Sequence, residues 1–161
     1  MILPSERLAD LGLVLPPVAA PLAAYVPAVR FGDLVFTSGQ LPTVAGQLHA
    51  VGKVGAEVSV EVAVECARIA ALNGVAAVAA EAGDVDAIVR IVKVVIFVAG
   101  APDFTGQAQV GNGASQLLGD IFGNAGKHAR SAVGLASLPL DAPVEVELVV
   151  AVGTSPTIHF A

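Results

Sequence analysis

Residues 88–98 read IVRIVKVVIFV, and this stretch decides the fold class. Val and Ile dominate it, and branching at Cβ crowds a helix while suiting a pleated strand. Apolar residues fall at both parities, so the strand has two faces to cover, and helices on one side leave the other for a neighbouring subunit. On its N-terminal side, residues 59–82 are Ala-rich, carry Glu61 and Glu65 early and end at Gly83, which predicts a long helix weakened in the middle by Gly74. On its C-terminal side, residues 102–122 predict a second helix opened by Pro102 and Asp103, with a break at Gly111 and Gly113. Further out, 28–31 and 34–37 are apolar runs around Gly32-Asp33, a tight-hairpin signal. A turn follows at Ala45-Gly46-Gln47, within a loop reaching Gly55 that holds one short strand. Residues 129–138 and 144–152 predict the last two strands, and residues 5–11 a short N-terminal helix capped by Ser5 ahead of a Pro-rich arm. The order predicts an α+β layer, one sheet with two helices on one face. Residues 1–24 read as helix and arm, 25–153 as a single domain and 154–161 as a tail.

Composition narrows the function. The chain has 161 residues, is 55% hydrophobic and only 14% charged. Its longest uncharged stretch, 11–29, is broken by Pro16, Pro17, Pro21 and Pro27, and the apolar run 69–80 is too short to span a bilayer. We therefore expect a soluble chain, without a signal peptide, whose scarce charge implies a homo-oligomer with a large apolar interface. A net charge of −6, scattered Lys and Arg, one Tyr and no Trp argue against nucleic acid. The lone Cys66 gives no internal disulfide and fits a reducing cytoplasm, and its apolar helical setting reads as a buried core thiol.

Candidate chemistry is sparse. His49, His128 and His159 lie far apart and form no metal-ligand spacing, so no metal is expected. Gly111-Asn112-Gly113 lacks the third glycine of a phosphate loop, where Gln116 stands instead. Residues 144–152, VEVELVVAV, set Glu145 and Glu147 on one face and Val144, Val146, Leu148 and Val150 on the other. Two carboxylates on an apolar strand need solvent or a partner, for which Arg130 at the start of the preceding strand is suited. Pattern alone leaves two readings: a solvated face or structural ion pair, or a pocket where Arg grips a small carboxylate while Glu handles a proton or water.

Tyr25, TSGQLP at 37–42 and ARSAVGLASLPLDAPVEVELVVAV at 129–152 together resemble the Rid family. These are the YjgF-like reactive-intermediate (enamine/imine) deaminases, also called endoribonuclease L-PSP or translation-inhibitor proteins. The N-terminal arm and the VGKVGAEVS segment look like the family's longer branch. The resemblance implies a chorismate-mutase-like mixed sheet with two helices on one face, a homotrimeric barrel, and active sites in the clefts between subunits. It implies Arg130 as the arginine that holds the substrate carboxylate and Glu145 as the residue that positions or activates water. Tyr25, Ser38 and Gly39 would line the pocket, and Asn112 is the nearest match to its asparagine. Ala132 departs from the pattern, standing where the deaminases often carry Cys, and would contact substrate through its backbone.

The activity so implied is cofactor-free hydrolysis of 2-imino acids, in equilibrium with their enamines, to 2-oxo acids and ammonia. A trimer that binds small carboxylates without turnover is the alternative, motivated by Ala132. Ribonuclease activity, from the family's older label, sits poorly with the acidic charge.

Overall fold

The structure, a computed structural model, describes residues 2–18 and 24–153. Its main sheet has five strands in the order β1 (Ala28–Phe31), β2 (Leu34–Thr37), β7 (Val144–Val152), β5 (Ile88–Ala99) and β6 (Ala129–Leu135). All neighbours are antiparallel except β5 and β6, which run parallel. Parallel strands need a crossover, and α3 (Gln107–Phe122) provides it. The short strands β3 (Thr43–Val44) and β4 (Gln47–Leu48) pair only with each other, around Ala45 and Gly46 with φ of 50° and 80°. The 43–48 segment thus holds two short strands, one more than its sequence predicts.

Helices α2 (Val60–Ala82) and α3 pack on one face of this sheet, giving the predicted α+β layer. Ser59 caps α2, its hydroxyl accepting from Val62 N at 3.2 Å, and Gly83 ends it at φ 89°. At 23 residues α2 is longer than the apolar run in the sequence, long and apolar enough to cross a membrane, so the length criterion does not exclude it. What distinguishes it is burial: 61% of its most apolar window lies inside the fold. Gly74 has a role beyond weakening the helix, because a Cβ there would stand 2.8 Å from Leu148 Cδ1 of β7. Leu148, Ile91 and Ile96 are fully buried in this layer, each contributing roughly 1.5–3 kcal/mol.

Three predictions for the helices need correction. The helix after β5 begins at Gln107, not Pro102, because Phe104 turns back to seat itself on Gly55, Gly100 and Gly106. It also runs unbroken through Gly111 and Gly113. A Cβ on Gly113 would collide with Val64 O of α2, so these glycines admit a close approach of two helices rather than a break. The N-terminal helix α1 (Pro4–Asp10) is not capped by the Ser5 side chain, which bonds Asp86 Oδ2 at 2.7 Å; Glu6 instead accepts from Leu3 N at 2.8 Å. Through that bond and buried Leu8, α1 joins the core as a third helix.

On β5, Ile88, Ile91, Val94, Ile96 and Val98 face the helices and are buried. Register shifts against β7 between Ile88 and Arg90 and between Ile91 and Lys93 interrupt the alternation. Val89 remains 59% exposed and Val92 39%. Among the described residues, no layer covers this second face. β6 ends at Leu135, three residues earlier than the sequence predicts, and Pro139–Asp141 forms a turn leading into β7. β6 is also an edge strand, so one side of its backbone has no strand neighbour among the described residues. The tail 154–161 and residues 19–23 of the arm lie outside the described residues, as does His159.

Candidate active site

The predicted site residues gather into two clusters on opposite faces of the sheet. On the helix face, Arg130 lies in register with Val94 of β5 and reaches α3. Its Nη1 donates to Asn112 Oδ1 at 3.0 Å and to Ser115 Oγ at 3.1 Å, and its Nη2 donates to Ala108 O at 3.2 Å. Asn112 and Ser115 are three residues apart and therefore share one face of α3. Gly111 makes room here, since a Cβ on it would stand 3.3 Å from Arg130 Nη1. Asn112 is thus part of the Arg130 cluster. Ala132, in register with Ile96, packs its methyl against the core.

Three of the five guanidinium N–H groups are committed to α3. Among the described residues, one N–H on Nε and one on Nη2 remain without a partner, and these two nitrogens form the side-on fork that fits a carboxylate.

On the other face, Glu145 lies opposite Phe97 of β5, and Glu147 opposite Val95. Loop 38–40 continues beyond β2 to pair with β7, Gln40 N donating to Val146 O at 2.8 Å. This brings Gly39 against the Glu145 carboxylate so closely that a Cβ on Gly39 would collide with Oε1. Ser38 Oγ donates to Val26 O at 2.6 Å, tying the loop to the residue after Tyr25, itself 53% exposed. Ser38, Gly39 and Glu145 therefore belong together, with Tyr25 at their edge.

Burial, and secondarily the charge of Glu147, hold the Glu145 carboxyl above the ordinary carboxylate range. Among the described residues, neither Glu145 nor Glu147 forms an ion pair. The predicted partnership with Arg130 within one chain is overturned: β5 stands between β6 and β7, and Arg130 turns to the helices while Glu145 turns away. Sequence adjacency of the two strands suggested a pairing that the crossover prevents.

Two participants escaped the sequence reading. Ser115 is one turn from Asn112, and His128 precedes Arg130 by two residues, hence on the same side of the chain. His128 Nε2 lies 3.0 Å from Ser115 Oγ, and its Nδ1 lies 2.6 Å from Gly126 O. Considered only as a metal ligand, His128 had no partner, and the Ser–His–Arg spacing was its one available signal. No group of His, Cys, Asp and Glu suited to a metal occurs among the described residues.

A family model described as "YjgF/chorismate mutase-like, putative endoribonuclease" matches residues 5–152. The chain belongs to that family. The chain is 44% identical over 149 residues to Protein TCP17 of Trypanosoma cruzi, covering 91% of this chain and 92% of that protein. A crystal structure described as a "putative endoribonuclease" from Shewanella oneidensis superposes with a TM-score of 0.90 at 33% identity, over 93% of this chain and 99% of that one. Escherichia coli TdcF with bound serine superposes with a TM-score of 0.62 at 27% identity, over 84% of this chain and 94% of that one. The YjgF-like fold and family expected from the motifs are thus established.

Proposed function

We propose that this YjgF-family protein hydrolyses 2-imino acids to 2-oxo acids and ammonia, in sites completed between copies of the chain. The observation that carries the reading is Arg130, whose Nη1 is tied to Asn112 and Ser115 while its side-on fork stays open. A planar fork held from behind selects a planar carboxylate. The serine bound to TdcF, another α-carboxylate ligand, is consistent with such a substrate.

Water adds to the imine carbon and gives up a proton as the C–O bond forms. The nitrogen gains protons and leaves as ammonia as the carbonyl closes. Glu145, its carboxyl raised by burial above its ordinary value, is the group placed to take and return that proton. The imine carbon is already electrophilic, so orientation and a proton route suffice without a cofactor.

In one copy the Arg130 and Glu145 clusters face opposite ways. A homotrimer reconciles them, with the free edge of β6 in one copy meeting loop 38–40 and Glu145 of the next. It would also cover Val89, Val92 and the open sheet face. Assembly of this kind in the cytoplasm agrees with the reading of Cys66 and of the sparse surface charge.

The test generates imino acids with an amino-acid oxidase and follows their decay. The proposal expects faster decay with protein present; an unchanged rate across several imino acids would contradict it. Ala132 motivates one competing reading, a trimer that binds 2-oxo acids without turnover. Binding of 2-oxobutyrate with no acceleration would support that instead.

A further inference from the structure

We propose that Ser115 and His128 form a positioning pair that fixes the direction of the Arg130 guanidinium. With the His128 ring uncharged, the direction of each bond in the group follows from the one before it. Gly126 O can only accept, so His128 Nδ1, 2.6 Å away, carries the ring proton. Nε2 of the neutral ring is then an acceptor, and Ser115, 3.0 Å away, donates its hydroxyl proton to it. With that proton spent, the Ser115 oxygen turns its lone pairs to Arg130 Nη1 at 3.1 Å. The second Nη1 proton goes to Asn112 Oδ1 at 3.0 Å. Rotation about the Nε–Cζ bond would break both of these and the Nη2 bond to Ala108 O together.

The far end of the chain of bonds is also fixed. Gly126 ends the tight turn Gly123–Gly126, so near α3 that a Cβ on it would collide with Leu118 O. Its carbonyl is therefore held by backbone packing, and that position passes through His128 and Ser115 to Arg130. A hollow of about 340 Å³ lined by Ser115, Gly119, Gly126, Lys127, His128 and Arg130 lies beside the pair.

The kinetic consequence rests on the proposed role of Arg130 in holding the substrate carboxylate; the positional claim does not. The experiment reads both. Protein labelled with ¹⁵N-arginine gives the Arg130 Nη signals, assigned by their loss in Arg130→Lys. Wild type and His128→Gln, whose amide oxygen can still accept from Ser115, should show restricted rotation and separate Nη signals. In Ser115→Ala and His128→Leu, where the bonds to Asn112 and Ala108 O remain, the two signals should exchange measurably faster than in wild type. The same two variants should raise KM for imino acids about tenfold, as loss of one charge-assisted hydrogen bond does, with kcat changed less than about twofold. His128→Gln should retain wild-type KM, a rescue that a merely structural role for the ring would not give. Exchange as slow as wild type in folded Ser115→Ala, or merged signals in wild type, would overturn the proposal. A wild type inert toward imines would count against the deaminase reading alone, because the Nη signals still decide the positioning claim.

Discussion

Replacing Gly39 by Ala separates the site from the fold. A methyl placed there would collide with Glu145 Oε1 and come within 2.6 Å of Cδ, while Cγ lies 3.0 Å away. The obstacle is the end of a flexible side chain, so the carboxylate moves and the backbone stays. Leaving a preferred rotamer costs about 0.5–1.5 kcal/mol. Gly39 does not have a positive φ, so alanine restricts the unfolded chain and returns about 0.4–1 kcal/mol. The two nearly cancel, and the melting temperature should change by no more than a few degrees. Turnover should not survive as well, since a displaced general base forfeits roughly 10²–10⁴ in rate. Imino-acid decay and a thermal melt on the same preparation make the comparison. Full activity in Gly39→Ala would show that the seat of Glu145 is irrelevant, and a melting point lowered by ten degrees or more would show a structural glycine.

Other substitutions probe different links. Arg130→Lys keeps the charge but loses the fork, so kcat/KM on carboxylated imines should fall about a hundredfold by steady-state assay. Glu145 has a folded-state pKa above its unfolded one, so its ionised form is disfavoured in the fold at neutral pH and the penalty vanishes once both states are protonated. Glu145→Gln should therefore raise the melting temperature at pH 7 and lose that advantage below about pH 4, while lowering kcat more than binding. Gly113→Ala forces α2 and α3 apart at Val64 O, and should cost about 1–3 kcal/mol in a denaturant titration. Cys66 is fully buried and its thiol is pushed up to about 11, so a disulfide reagent should react only after unfolding.

Much of this architecture is written in local patterns. The β-branched run of β5, the Gly32-Asp33 hairpin and the Ser59 and Gly83 ends of α2 are decided by residues close in sequence. The failures arise where distant segments meet. Gly111 and Gly113 look like helix breakers until Val64 of α2 and Arg130 of β6 are beside them. Pro102 resembles a helix start because nothing local reveals that Phe104 will settle on three separate glycines. The site follows the same rule. Arg130, Glu145 and the Ser38-Gly39 loop are legible from motif, and Asn112 only as the nearest match to the family's asparagine. That Arg130 and Glu145 turn to opposite faces follows from register, Arg130 lying opposite Val94 and Glu145 opposite Phe97, positions of opposite parity on β5 that neither strand reveals alone. The Ser115–His128 link joins a helix to a turn through one hydrogen bond and carries no periodic signal.

Mixing two inactive variants tests the central claim most directly. Arg130→Ala and Glu145→Gln are each purified, dissociated, combined in equal amounts and reassembled, and imino-acid hydrolysis is measured. If each site takes its arginine from one copy and its glutamate from the next, random assembly restores about a quarter of wild-type activity. A mixture no more active than its two components would contradict an active site completed between copies.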